Sequence, residues 1–237
     1  MPFLWLLIYQ WDFNGRGHGD LKETEESYSK EIYKKIKNDI LNFRIKDGEF
    51  ITLSELAEKY KVSKTPVRDA LGALEIEGYL KSLPRKGYLV KPVTQKSIRE
   101  AFEMRMIFEV AAAKIAIKTA GDDELKCILK LAEEFPDGNI TNINNLNFFN
   151  RLNNEFHMSI VKAAHNSLLM ETGLNIMENL SRILVSDSYN LDFTNEKKEH
   201  TDIAQALINR DADKLEILIS EHIIELENRV CANNVRL

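Results

Sequence analysis

The sequence predicts a mainly α-helical protein in two parts, an N-terminal winged helix-turn-helix followed by an all-α bundle of six to seven helices. Three observations lead there. Residues 27–94 read as helix, helix, short turn and helix, then two short β-like runs. From Lys96 onward apolar residues recur at helical spacing, with almost no Gly or Pro inside the periodic runs. Charge divides at the same boundary: 14 Lys and Arg face 9 Asp and Glu in residues 27–94, against 16 and 23 in residues 95–237. A basic module on an acidic body points to a polyanionic partner for the module and another task for the body.

A chain of 237 residues can bury one large core or two modest ones. Its two cysteines, Cys127 and Cys231, form neither a disulfide framework nor a zinc-knuckle spacing, so the expected location is a reducing cytoplasm. The opening "MPFLWLLIYQW" is apolar but too short to span a bilayer, and it has no Lys or Arg before Arg16. Residues 1–26 are therefore expected to be an appendage, disordered or a leader, and no membrane partner is expected.

In the basic part, "SYSKEIYKKIKNDILNF" puts Ile32, Ile36, Ile40 and Leu41 on one stripe, and "KDGEF" breaks that helix. Thr52 and Glu55 form a capping box that starts a second helix, with Leu53, Leu56 and Ala57 as its apolar face. After the connector "KVS", a third helix can be capped by Ser63 or Thr65, has Pro66 in its first turn and stops at Gly78. "YLKS" and "GYLVKPV" are the two wing strands, joined by "LPRKG". This order suits DNA. The third helix fits a major groove with Ser63, Lys64, Thr65 and Arg68 on its first turn, where exposed amides can also take a phosphate. A guanidinium such as that of Arg68 forks onto guanine, while Arg85, Lys86 and Gly87 lie at a wing tip that would meet backbone or minor groove.

The run "LAEKYKVSKTPVRDALGALEIEGYLKSLPRKGYLV" resembles the DNA-binding domain of the GntR superfamily of bacterial transcription regulators, most specifically through VS-x-TPVR-x-AL-x-x-LE-x-EG. The resemblance implies a homodimer on a pseudo-palindromic, double-stranded DNA operator. It also implies base or phosphate contacts for Ser63, Lys64, Thr65, Arg68 and the wing tip. Many members carry an Arg in the second helix where this chain has Ser54, so one such contact is missing.

The acidic part reads as a succession of helices with short links. Ile98, Phe102, Met106, Val110 and Ala113 make the seam of the first. Its histidines fall on apolar stripes. His157 goes with Ile160, Val161 and Ala164; His200 with Ile203, Ala204 and Leu207; His222 with Leu215, Leu218, Ile219 and Leu226. His200 and His222 are equidistant from the turn "NRDAD", so an antiparallel hairpin would bring them to one height. Asn153 and His157 share a face at i and i+4. Three imidazoles and a side-chain oxygen make a plausible shell for Zn, Ni, Mn or Fe, although for each histidine alone a hydrogen-bonded core role is the commoner case.

The helical part is similar to the FCD domain of FadR-type GntR regulators, through "FEMRMIFE", "NNEFHMSIVKAAHNSLL", "EH-x-x-IAQAL-x-x-RDADK" and "SEHI". The resemblance implies a metal set of D-x-x-x-H plus two later histidines, which falls here on Asn153, His157, His200 and His222. Asn replaces the Asp, which removes a charge but leaves an amide oxygen able to coordinate. Arg105, one turn before Glu109, can receive a carboxylate effector or form a structural ion pair. The leading expectation is a DNA-binding transcription regulator answering to a small organic acid, not an enzyme. The alternative is a metal-dependent bundle enzyme with an accessory winged helix; no Ser/His/Asp or Cys/His arrangement supports it.

Overall fold

Isoleucines spaced four apart draw the first helix onto a core: Ile32, Ile36 and Ile40 are all buried in α1 (Asp20–Leu41). The structure, a computed structural model, describes residues 20–136, 143–186 and 194–234. Helix α1 starts at Asp20 rather than near Ser27, so the expected boundary of the appendage falls inside a helix; residues 1–19 lie outside the described residues. The capping box starts α2 (Leu53–Tyr60) as expected. Glu55 N–H donates to Thr52 Oγ1 at 3.3 Å, and Thr52 N–H donates to Glu55 Oε2 at 2.9 Å. Lys61, at φ 56°, ends it in the left-handed region. Helix α3 (Lys64–Ile76) follows Ser63, which occupies the cap position without a side-chain hydrogen bond, and Gly78 lies just past its end at φ +89°.

Three strands complete this module. β2 (Leu80–Leu83) and β3 (Gly87–Val90) are the expected wing, antiparallel with Leu80 opposite Val90 and Leu83 opposite Gly87. A third strand, β1 (Phe50–Ile51), adds to the outer edge of β3 with Phe50 opposite Leu89. Two residues are too short to show alternation in a sequence; β1 exists because the hairpin offers it an unpaired edge. Gly87 sits at φ +97°, and a Cβ there would lie 2.5 Å from the Ile51 carbonyl oxygen, so β1 and β3 approach through a glycine.

The bundle consists of α4 (Gln95–Thr119), α5 (Asp122–Glu133), α6 (Ile143–Ala163), α7 (Ser167–Ser186), α8 (Glu196–Ile208) and α9 (Ala212–Asn234). Six helices among the described residues meet the lower end of the expectation. α4 is the axis, packed against α6, α7 and α9, while α5 packs against α6 and α8. The two parts have separate cores, one built on Ile36, Leu71, Leu74 and Leu80, the other on Phe102, Phe135, Phe156, Ile203 and Ile223. Helix α7 touches α4 at Gly173, where a Cβ would come 2.4 Å from Phe108 Cζ. Gly173→Ala should therefore lower stability, by about 1–3 kcal/mol, despite alanine's better helix propensity. Urea unfolding of the two proteins tests this; an unchanged or raised midpoint would mean that Phe108 yields.

Candidate effector and DNA sites

Four bundle helices send polar side chains into one closed point. Arg105 and Glu109 come from α4, His157 from α6, Glu196, Glu199 and His200 from α8, and His222 from α9. Arg105, Glu109, His157, Glu196, His200 and His222 are buried. Arg105 Nε donates to Glu109 Oε1 at 2.7 Å, which neutralises the guanidinium in the core. Its Nη2 lies 2.7 Å from His157 Nε2 and 3.4 Å from His222 Nε2, and these two nitrogens are 3.3 Å apart. A guanidinium has only donors, so both Nε2 atoms are acceptors and both rings carry their proton on Nδ1. A carboxylate lies beside each Nδ1. His222 Nδ1 is 2.7 Å from Glu199 Oε2; His157 Nδ1 is 2.8 Å from Glu109 Oε2, close but not aligned as a hydrogen bond. His200 closes the triangle, its ring centroid 5.1 Å from that of His157 and 4.7 Å from that of His222.

The electrostatics fix these imidazoles as neutral. Burial is the largest effect on each, helped by the nearby Arg105 charge; it pushes His157 and His222 down to about 4 and His200 well below the ordinary value. Burial alone would raise Glu109, but Arg105 and His157 outweigh it and hold that carboxyl well below the usual range. Neutral imidazoles with Nε2 lone pairs aimed at one point are the form in which histidine ligates metals, and carboxylates behind Nδ1 are the usual support. The spacing fits as well. Metal–nitrogen bonds of about 2.1 Å at tetrahedral angles put ligand nitrogens about 3.4 Å apart, near the 3.3 Å between His157 and His222. Ligating atoms of all three histidines lie within 4.8 Å of one another. Several buried polar atoms have no hydrogen-bond partner: both nitrogens of His200, Nη1 of Arg105 and Oδ1 of Asn153, one turn before His157 on α6. Such atoms are costly to bury unpaired. In this structure Arg105 Nη2 lies against the Nε2 atoms of His157 and His222, the same lone pairs a metal would use.

On the other module, Ser63, Lys64, Thr65 and Arg68 are exposed on the first turn of α3, and Arg85 and Lys86 are exposed at the β2–β3 turn. Gly87 is half-buried and serves the turn and the β1 contact. Ser54, in place of an arginine, is exposed on α2.

Comparison with known proteins agrees with both halves. Residues 28–90 match the model of the bacterial regulatory proteins of the gntR family, and residues 100–225 match the FCD domain. The chain belongs to the GntR family of transcriptional regulators and carries an FCD domain. Among its GntR relatives, an uncharacterized HTH-type transcriptional regulator of Bacillus subtilis, YdhC, is 31% identical over 66% of this chain and 68% of its own. The Nta operon transcriptional regulator of Aminobacter aminovorans is 28% identical over 77% of this chain and 85% of its own. The solved structure of McbR/YncC from E. coli shares the fold, with a TM-score of 0.69 at 17% identity over 87% of this chain and 98% of that one.

The fold thus brings together His157, His200, His222 and Arg105 of the residues singled out in the sequence, with Asn153 one turn away; His165 is exposed, beside Glu124. Sequence reasoning missed Glu196 and Glu199 in this GntR protein. Glu196 lies one turn before His200 on the same face, at 3.6 Å from its Nε2, so the spacing was there to be read. Arg229, which donates to Glu196 Oε1 at 2.7 Å, had no such signal.

These charge states set a pH dependence. Folding lowers the histidine pKa values, so below pH 6.5 the unfolded chain takes up protons first and stability falls as pH drops from 6.5 through about 4. Glu109 acts in the same direction, because its depressed pKa gives stability that is lost on acidification. The histidine effect should be on the order of 3 kcal/mol for each of His157 and His222 once the pH is below both values. Urea midpoints should change little from pH 7.5 to about 6.5 and decline from there to pH 5; a flat profile throughout would mean that these rings take up protons as readily in the folded protein as in the unfolded chain.

Proposed function

We propose that this GntR-family protein acts as a homodimer whose affinity for a pseudo-palindromic DNA operator is set by a small carboxylate effector, bound with a divalent metal at the three-histidine centre. The observation that carries this reading is the buried guanidinium of Arg105, paired on one side with Glu109 and aimed on the other at the imidazoles of His157 and His222, with Nη1 lacking any partner. A carboxylate would satisfy that donor by the fork geometry that guanidinium favours. His157, His200 and His222, with the amide oxygen of Asn153, would hold Zn, Ni, Mn or Fe, and the metal would supply a second positive pole for the carboxylate. Because Nη2 and a metal compete for the same Nε2 lone pairs, loading the centre frees the guanidinium for the effector. Exposed Met104 and Ile107 on α4, and Ile217 and Ile224 on the adjacent α9, offer apolar surface for a second copy.

On the DNA side, Arg68 would read a base edge from the first turn of α3, joined by Ser63, Lys64 and Thr65, with Arg85 and Lys86 on the backbone. With duplex from upstream of its own coding sequence, Arg68→Ala should weaken binding by about 5- to 100-fold. Lys86→Ala should weaken it uniformly and reduce the salt slope by about one. Retention should correspond to two chains per duplex. Wild-type affinity that is absent even at low salt would overturn the operator reading.

For the metal, elemental analysis should find about one divalent ion per wild-type chain and none in His200→Ala/His222→Ala. Zinc chloride should likewise raise the wild-type unfolding temperature and leave that variant unmoved. Equal metal content in the two proteins would refute the centre.

A further inference from the structure

Helix α7 packs on α4 and α6, the helices that carry Arg105 and His157, and also reaches the DNA-binding module. At its start, Gly173 is seated on the ring of Phe108, three residues after Arg105 on α4, and against Met158, the residue after His157 on α6. The fit leaves no slack, since even a methyl group would overlap Phe108. Further along, Asn154 of α6 donates to Ser181 Oγ at 2.6 Å. At its far end two charged side chains, Glu178 and Arg182, reach the first module from one face of the helix. Arg182, almost wholly buried, donates from Nη2 to Asp47 Oδ1 and, at 2.5 Å, to the carbonyl oxygen of Lys91. Asp47 Oδ2 in turn accepts from the Val93 N–H at 2.7 Å. The residues joined here are the turn before β1 and the linker that leads from β3 into α4. Glu178 pairs with Lys37 of α1 at 2.6 Å, and Lys37 also pairs with Glu77 at 2.7 Å, at the end of α3. Tyr79 stands between the two cations, with Lys37 Nζ at 5.2 Å and Arg182 Cζ at 5.9 Å from its ring centre.

We propose that α7 is the element that passes the state of the histidine centre to the DNA-binding module, with Arg182 as the positioning residue that latches the linker. The inference rests on the effector-responsive reading above. A shift of α4 or α6 at Arg105 or His157 moves α7 through Gly173 and Asn154, because close-packed contacts transmit displacement instead of absorbing it. The far end of α7 then changes how Arg182 holds Asp47 and Lys91. That contact sets the angle of the linker and so the placing of α3 and the wing on DNA. An ion pair whose cation is almost wholly buried suits such a latch, because its loss leaves an uncompensated charge.

The test is a double-mutant cycle in the full-length protein, read by hydrogen exchange of the peptide that contains Val93. Arg182→Ala should speed that exchange about tenfold, since the amide loses its ordered acceptor. Asn154→Ala, which removes the α6 contact on Ser181 beside Arg182, should speed it by a smaller factor in the wild-type background and not at all in the Arg182→Ala background. Equal effects of Asn154→Ala in both backgrounds, or no effect of Arg182→Ala, would overturn the proposal. Asp47→Asn removes the ion pair while keeping the side chain's shape; it repeats the cycle should Arg182→Ala fail to fold. The zinc content of Arg182→Ala should equal that of the wild type. With zinc chloride added, exchange at Val93 should change in the wild type and not in Arg182→Ala. A wild type that takes up no zinc would defeat the metal reading alone, because the cycle decides the latch without metal.

Discussion

The structure of the bundle turns on one buried interaction, the convergence of the His157 and His222 lone pairs on Arg105 Nη2. Two neutral nitrogens 3.3 Å apart with their lone pairs facing repel each other unless a positive group stands between them. A guanidinium supplies that group here, and Glu109 makes its burial tolerable. Everything around follows from the same requirement. Glu109 and Glu199 sit behind the Nδ1 positions, which keeps the protons away from the focus. Phe135 and Phe156 wall in His200, with ring centroids at 4.3 Å, and keep water out.

This arrangement is poor as a pure stability device. Replacing a buried ion pair by apolar groups is often neutral or favourable, and the centre keeps several polar atoms unpaired. A fold that needed only cohesion would fill the space with leucine. The centre instead keeps a cationic group and several unpaired donors and acceptors inside a closed core. Glu109, Glu196 and Glu199 are engaged with Arg105, Arg229 and His222, and the relatives are named as transcription regulators.

The first module has the opposite character. Its core is apolar and ordinary, while its groups for a partner stay exposed on the first turn of α3 and at the wing tip. The two modules meet through charged side chains, Lys37 with Glu178 and Arg182 with Asp47, flanking the ring of Tyr79. Charged contacts of this kind fix orientation more than they add cohesion.

Periodicity and capping in the sequence by themselves determined the helices of the DNA-binding module, the hairpin of the wing and the inward direction of His157, His200 and His222, because these depend on residues a few positions apart. The equal distances of His200 and His222 from the 209–213 turn determined even their meeting, since a hairpin converts sequence spacing into height. Only the tertiary structure decided what those rings face. That Arg105 Nη2 lies at their focus, that Glu199 fixes one tautomer, and that Arg229 holds Glu196 depend on how α4, α6, α8 and α9 cross, which packing of whole helix faces sets. The same holds for β1, too short to alternate, and for Arg182. A lone arginine in an amphipathic helix reads as a solvated charge until the fold brings Asp47 and the Lys91 carbonyl to it.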